Sequence, residues 1–134
     1  MHIIALLLAL VAPSFVTPQI VHWVPGTGTL AGSESAVIQG DSTKPGIYVL
    51  RYKFPDGFAI APHVHTQSEN VDVLQGTLLV GIGDAVQPYA MHAMIAGSFF
   101  SIPARTAHYA KARGETIIDV RAMGPRVTTP VKRR

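Results

Sequence analysis

An all-β domain, a barrel or sandwich of short strands, is what this sequence predicts, and three observations carry that prediction. The composition is apolar-rich and charge-poor, and 12 Gly and 10 Pro are scattered along the whole length, which cuts the chain into short segments separated by turns. In IYVLRYKF, Tyr48, Leu50, Tyr52 and Phe54 alternate with Val49, Arg51 and Lys53, the period of two expected of a half-buried strand. Similar short runs recur at similar spacing, as in a sandwich or barrel. A chain of 134 residues makes one domain, because two separate cores would each be too small to offset their conformational entropy.

The opening stretch MHIIALLLALVAP holds an apolar run of about ten residues, too short for the roughly 20 that span a bilayer as a helix. A signal peptide over residues 1–18 is expected, followed by the β domain at 19–125 and a basic tail at 126–134. The run has no Lys or Arg before it and no clean small-x-small site before Pro13, so a buried strand or helix is the alternative. Export to a periplasm or the medium, without stable membrane insertion after cleavage, follows from the first reading. The chain has no cysteine, which excludes disulfides, thiolate ligands and a catalytic thiol.

From there the elements follow in order. QIVHWVP reads as a first short strand, and residues 26–46 are turn-rich with one strand around 36–38. The strand at 47–54 ends in Pro55-Asp56-Gly57, a turn in which proline presets φ, aspartate bonds nearby backbone and glycine accepts a positive φ. Further strands are expected at 60–65, 70–74, 77–81, 97–102, 107–112 and 116–122, with DAVQPYAMHAM as a helical turn or loop between them. Tyr48, Tyr52, Phe54, Phe58 and Phe99 are assigned to core and pocket wall.

The formal charge is +3, and its excess lies in Arg121, Arg126, Lys132, Arg133 and Arg134. A nucleic-acid reader needs a basic stripe interleaved with base-reading groups; this short proline-interrupted end is instead expected to be a solvated tail.

The chemistry concentrates in APHVHTQSENVDVLQG. On a strand, His63 and His65 point to one face, with Cα atoms separated by about two rises of 3.3 Å. Glu69 keeps the same parity after a short turn. Two imidazoles and a carboxylate suit a first-row divalent metal with open positions, although an H-x-H pair alone is equally an ordinary polar pair. His22 beside Trp23, and His92 in the irregular insert, have no such company.

The frame around these residues is more specific. Gly57, His63, His65, Glu69 and Gly76 satisfy G-x5-H-x-H-x3-E-x6-G, and this resembles the first motif of the cupin superfamily. GSFFSIPARTAHYAKA resembles the second, G-x5-P-x-G-x2-H-x3-N, through Gly97, Pro103 and His108. Arg105 replaces the glycine after the proline, and Ala112 replaces the final asparagine. The resemblance implies an all-β, single-domain cupin jelly-roll barrel with His63, His65, Glu69 and His108 as metal ligands. It also implies one Fe, Mn, Ni, Cu or Zn ion, a small organic molecule as partner, no nucleic acid, and a homodimer formed through an edge strand.

Such a site supports dioxygenase-like chemistry on an oxygen-donor substrate, Lewis-acid isomerisation or decarboxylation, or metal and ligand binding without turnover, since one fold hosts many functions. Glu69 either stays a ligand or serves as the base. Along TIIDVRA, Asp119 and Arg121 share one face. Either they form a solvent-side ion pair, or Arg121 binds a substrate carboxylate.

Overall fold

The computed structural model describes residues 12–132, so residues 1–11 of the expected signal peptide lie outside the described residues. Nine strands are found there: β1 (Val24–Pro25), β2 (Glu34–Gln39), β3 (Gly46–Phe54), β4 (Ala59–His65), β5 (Glu69–Ile82), β6 (His92–Ile95), β7 (Phe99–Ile102), β8 (His108–Gly124) and β9 (Thr128–Pro130). They pair in the order β1-β2-β3-β8-β4-β9, while β5 pairs with β6, β7 and β8. Every pairing is antiparallel. This is the jelly-roll barrel, with the two long strands β5 and β8 joining its parts.

Those long strands each replace two expected short ones. The ladder between β5 and β8 runs from Glu69↔Ala122 to Ile82↔His108, with shifts around Gln75. Gly76 sits in that irregularity at φ 70°, and a Cβ there would run into the Glu115 carbonyl. The glycine therefore permits a bulge where its sequence suggested a break. On β8 the Arg113-Gly114 step stays in the strand, anchored by the Gly114 N–H donating to Asp56 Oδ1 at 2.7 Å.

QIVHWVP is less regular than expected. A 3₁₀ turn occupies Pro18–Ile20 and only Val24–Pro25 pair. DAVQPYAMHAM divides into a 3₁₀ turn at Pro88–Ala90 and the start of β6.

Strand alternation sets the core. Phe54, Val71, Val73, Leu78, Val80, Ile118 and Val120 are buried in one cluster, each such side chain contributing about 1.5–3 kcal/mol relative to exposure. Phe99 is a correction: it is 56% exposed, and Phe100 lines the interior instead. β7 begins at Phe99 after the Gly97 turn, so the strand's parity is set by its pairing with β5, Val71↔Phe100.

The tail expected at 126–134 is also corrected. Thr128–Pro130 form β9 against β4, with His65↔Thr128 and His63↔Pro130 in register. Arg126 N–H donates to the Ser42 carbonyl at 2.9 Å, and Val131 N–H to the Pro62 carbonyl at 2.9 Å. The backbone of 126–131 is thus committed to the barrel, and its ladder bonds outweigh the solvation its charge suggested.

Candidate metal centre

β4 presents His63 and His65 on one face, and antiparallel pairing sets His63 directly opposite His108 at the start of β8. The ring centroids lie 4.7 Å apart for His63–His65, 4.2 Å for His63–His108 and 5.2 Å for His65–His108. One nitrogen from each ring lies within 4.8 Å of the others. Glu69, the first residue of β5, approaches with Oε2 3.3 Å from His65 Nε2 and Oε1 3.1 Å from His108 Nε2. The four residues implied by the two motifs are therefore together, with His65, Glu69 and His108 buried.

Each ring is held from behind. His63 Nδ1 lies 2.8 Å from the Ala61 carbonyl, His108 Nδ1 2.9 Å from the Thr106 carbonyl, and His65 Nδ1 2.9 Å from Thr128 Oγ1. A carbonyl only accepts, so this bonding network assigns the Nδ1 protons of His63 and His108 and leaves their Nε2 atoms as lone pairs when neutral. Metal-binding histidines are oriented in the same way.

Burial pushes the His65 imidazole down to about 3 and holds His63 below the usual histidine range. Both rings are therefore neutral at pH 7, the form that ligates. Burial alone would raise Glu69, but the His108 contact and the neighbouring His65 and Arg126 outweigh it and hold its carboxyl below the ordinary range. The ionised carboxylate then faces the His108 lone pair at 3.1 Å. Two acceptors at that distance need a positive centre, either a second proton on the ring or a metal ion. The three imidazoles fit a divalent first-row metal, with the Glu69 carboxylate beside them.

Arg126 was missed by sequence reasoning. Its side chain is 12% exposed and lines the pocket. Nη1 donates to the Tyr48 hydroxyl at 3.0 Å, while Nη2 lies 3.4 Å from His65 Nε2. Nη1 also stands 3.5 Å from Glu69 Oε2. The signal that could have found it is the run Val127-Thr128-Thr129, β-branched and therefore suited to a strand, which fixes where Arg126 stands.

Arg121 lies elsewhere. It is exposed on the outer face of β8, 4.0 Å from Asp72, and is not among the residues lining the pocket. The expected Asp119–Arg121 pair does not form, because Asp119 is held by Arg51 from the adjacent strand at 2.7 and 2.8 Å. Arg105 takes φ 60°, the conformation a glycine at that motif position serves, and its N–H donates to the His65 carbonyl at 2.8 Å. Ala112 is buried within the apolar cluster. His22 and His92 are exposed and lie outside the centre.

A jelly-roll barrel closed around three convergent histidines defines a cupin. Residues 18–121 match the family described as "Domain of unknown function (DUF4437)", and the chain belongs to that family. No curated protein matches it.

Among solved structures the chain is similar to an RmlC-like cupin from Shewanella frigidimarina at 16% identity and TM-score 0.65, covering 84% of this chain and 91% of the other. It is similar to a candidate acetylacetone dioxygenase from Methylibium petroleiphilum at 20% identity and TM-score 0.71, covering 91% and 83%. It is also similar to the polyketide cyclase RemF from Streptomyces resistomycificus at 16% identity and TM-score 0.71, covering 92% and 88%. Likeness at these identities is likeness of fold.

Proposed function

We propose that this protein is a metal-dependent cupin enzyme of the dioxygenase-like type, acting on a small oxygen-donor organic substrate such as an enolisable carbonyl compound. The observation that carries the proposal is the convergence of His63, His65 and His108, one nitrogen of each within 4.8 Å of the others, with the Glu69 carboxylate 3.1 Å from His108 Nε2 and the rings held from behind. His63, His65, His108 and Glu69 would hold the ion. Once bound, such an ion polarises an oxygen donor and, if redox-active, gives access to dioxygen chemistry.

The chain's own residues supply the rest. Glu69 is the one acid lining the pocket among the described residues, so if it leaves the ion to the three histidines it is the group placed to take a substrate proton. Phe54, Phe100, Ile118 and Val120 wall the pocket and limit water around the reacting atoms. The likeness to a candidate acetylacetone dioxygenase supports this choice over metal storage. Pairing of two copies through an open sheet edge belongs to the same proposal.

Elemental analysis of purified protein beside His65→Ala and His108→Ala tests it. About one first-row metal per chain is expected, lost in both variants, with oxygen uptake when 1,3-dicarbonyl compounds are added. An empty site after reconstitution with each candidate ion overturns the metal assignment. A metal-loaded protein that binds such compounds without consuming them overturns the enzymatic one.

A further inference from the structure

Arg126 is the one cation among the residues lining a pocket of about 210 Å³, equivalent to roughly seven waters at ~30 Å³ each. Most of the wall is apolar, including Leu30, Phe54, Leu78, Phe100, Ile118 and Val120. A guanidinium carries five N–H donors. Nη1 faces Tyr48 and Glu69, Nη2 faces His65, and the Tyr52 hydroxyl also bonds the guanidinium. These contacts engage at most four of the five donors, and the two tyrosine hydroxyls are neutral partners that an anion can displace. On Arg51, Nε and Nη2 hold the Asp119 carboxylate bidentately.

Charge accounting adds a second argument. Glu69 is the one acid lining the pocket among the described residues, so it alone opposes Arg126. A divalent ion at the histidines would add positive charge that this single carboxylate does not offset, and buried charge in an apolar surround is expensive unless it is compensated. A bound anion lowers that charge.

We propose that Arg126 makes the pocket a receptor for a small organic anion, a carboxylate-bearing molecule with an apolar body whose acid group lies against the guanidinium. This rests on the metal-site reading above and names the substrate class for it. Charge-assisted, bidentate recognition favours a planar carboxylate over its neutral amide. Metal and anion should therefore bind with positive coupling, each tightening the other by the same factor.

The probes are zinc ion, benzoate and benzamide, measured by calorimetry on the full chain. The zinc-loaded protein is expected to bind benzoate at least about tenfold more tightly than benzamide, and benzoate is expected to tighten zinc binding. Arg126→Gln should abolish the preference, and Arg126→Lys should retain part of it. A far-ultraviolet circular dichroism spectrum and a denaturant slope equal to the parent's confirm that Arg126→Gln is folded.

Equal affinity for benzoate and benzamide overturns the proposal. So does a preference that survives Arg126→Gln, because the metal alone would then explain it. Failure of zinc to bind the parent protein instead strikes the metal reading. The metal-free comparison then decides the anion site: an Arg126-dependent preference sustains it, and none overturns it.

Discussion

The two shielded arginine–carboxylate pairs of this barrel differ, and their difference separates framework from site. Arg51 on β3 faces Asp119 on β8 in register, with Nε–Oδ1 at 2.7 Å and Nη2–Oδ2 at 2.8 Å. Arg126 faces Glu69 through a single approach of 3.5 Å. Shielding does not distinguish them, since the first pair is 17% and 14% exposed and the second 12% and 7%. Geometry does. The outer pair joins one edge of the guanidinium to both carboxylate oxygens and lies outside the pocket, whereas the inner pair spreads its donors over Tyr48, His65 and Glu69 and lines the pocket. A loosely shared pair inside a pocket can receive a ligand; a bidentate pair on a ladder outside it holds strands.

Neutralising the acid of each pair should break this comparison in opposite ways. Glu69→Gln is expected to weaken metal binding by at least tenfold to a hundredfold, the scale seen even for groups one step removed from a metal. Asp119→Asn should leave metal affinity unchanged while lowering stability by about 2 kcal/mol, because it weakens a charge-assisted bidentate bond in a partly shielded place. Metal titration and denaturant midpoints, measured on both variants, check this. If Asp119→Asn weakens metal as much as Glu69→Gln does, the division between framework and site fails.

A smaller effect should sharpen the inner half of the contrast. Thr128 is the partner of His65 Nδ1 at 2.9 Å and comes from β9, the strand that also fixes Arg126. Thr128→Val keeps the β-branched shape but removes the hydroxyl, so His65 loses its orienting contact. Metal affinity is expected to fall about tenfold, while Thr129→Val, at the next and exposed position, should change it little. Equal affinities in the two variants would mean that packing alone orients the ring.

The same contrast explains what the sequence could disclose. His63, His65 and Glu69 lie within one short segment, so strand parity places them on one side. His108 arrives through the second motif and stands opposite His63 in the strand register. Alternation along β8 also separated Ile118 and Val120 from Asp119 and Arg121 correctly.

Partner choice was not legible in the same way. Asp119 pairs across strands with Arg51 rather than along its own strand with Arg121. Arg126 depends on β9 returning to β4, a contact between segments some 60 residues apart; the β-branched run Val127-Thr128-Thr129 signals a strand but not its partner. Charge and proline content there described an average tail, whereas capture of Thr128–Pro130 by the edge of β4 decided the fold.

Arg105 supplies the smallest prediction, because two modest terms oppose each other. Its φ of 60° is the left-handed conformation, which costs a non-glycine residue about 1–2 kcal/mol. Arg105→Gly should remove that strain but enlarge the conformational freedom of the unfolded chain, which costs about 0.4–1 kcal/mol. The balance is a gain of roughly 0.5 kcal/mol, read as a small rise in denaturant midpoint at unchanged slope. Metal affinity should not move, since the site-facing link at this position is the Arg105 N–H bond to the His65 carbonyl, and glycine retains that donor. A clear loss of metal affinity would instead assign the exposed Arg105 side chain a part in the site, and would shift the boundary between closed framework and open pocket to include the loop before His108.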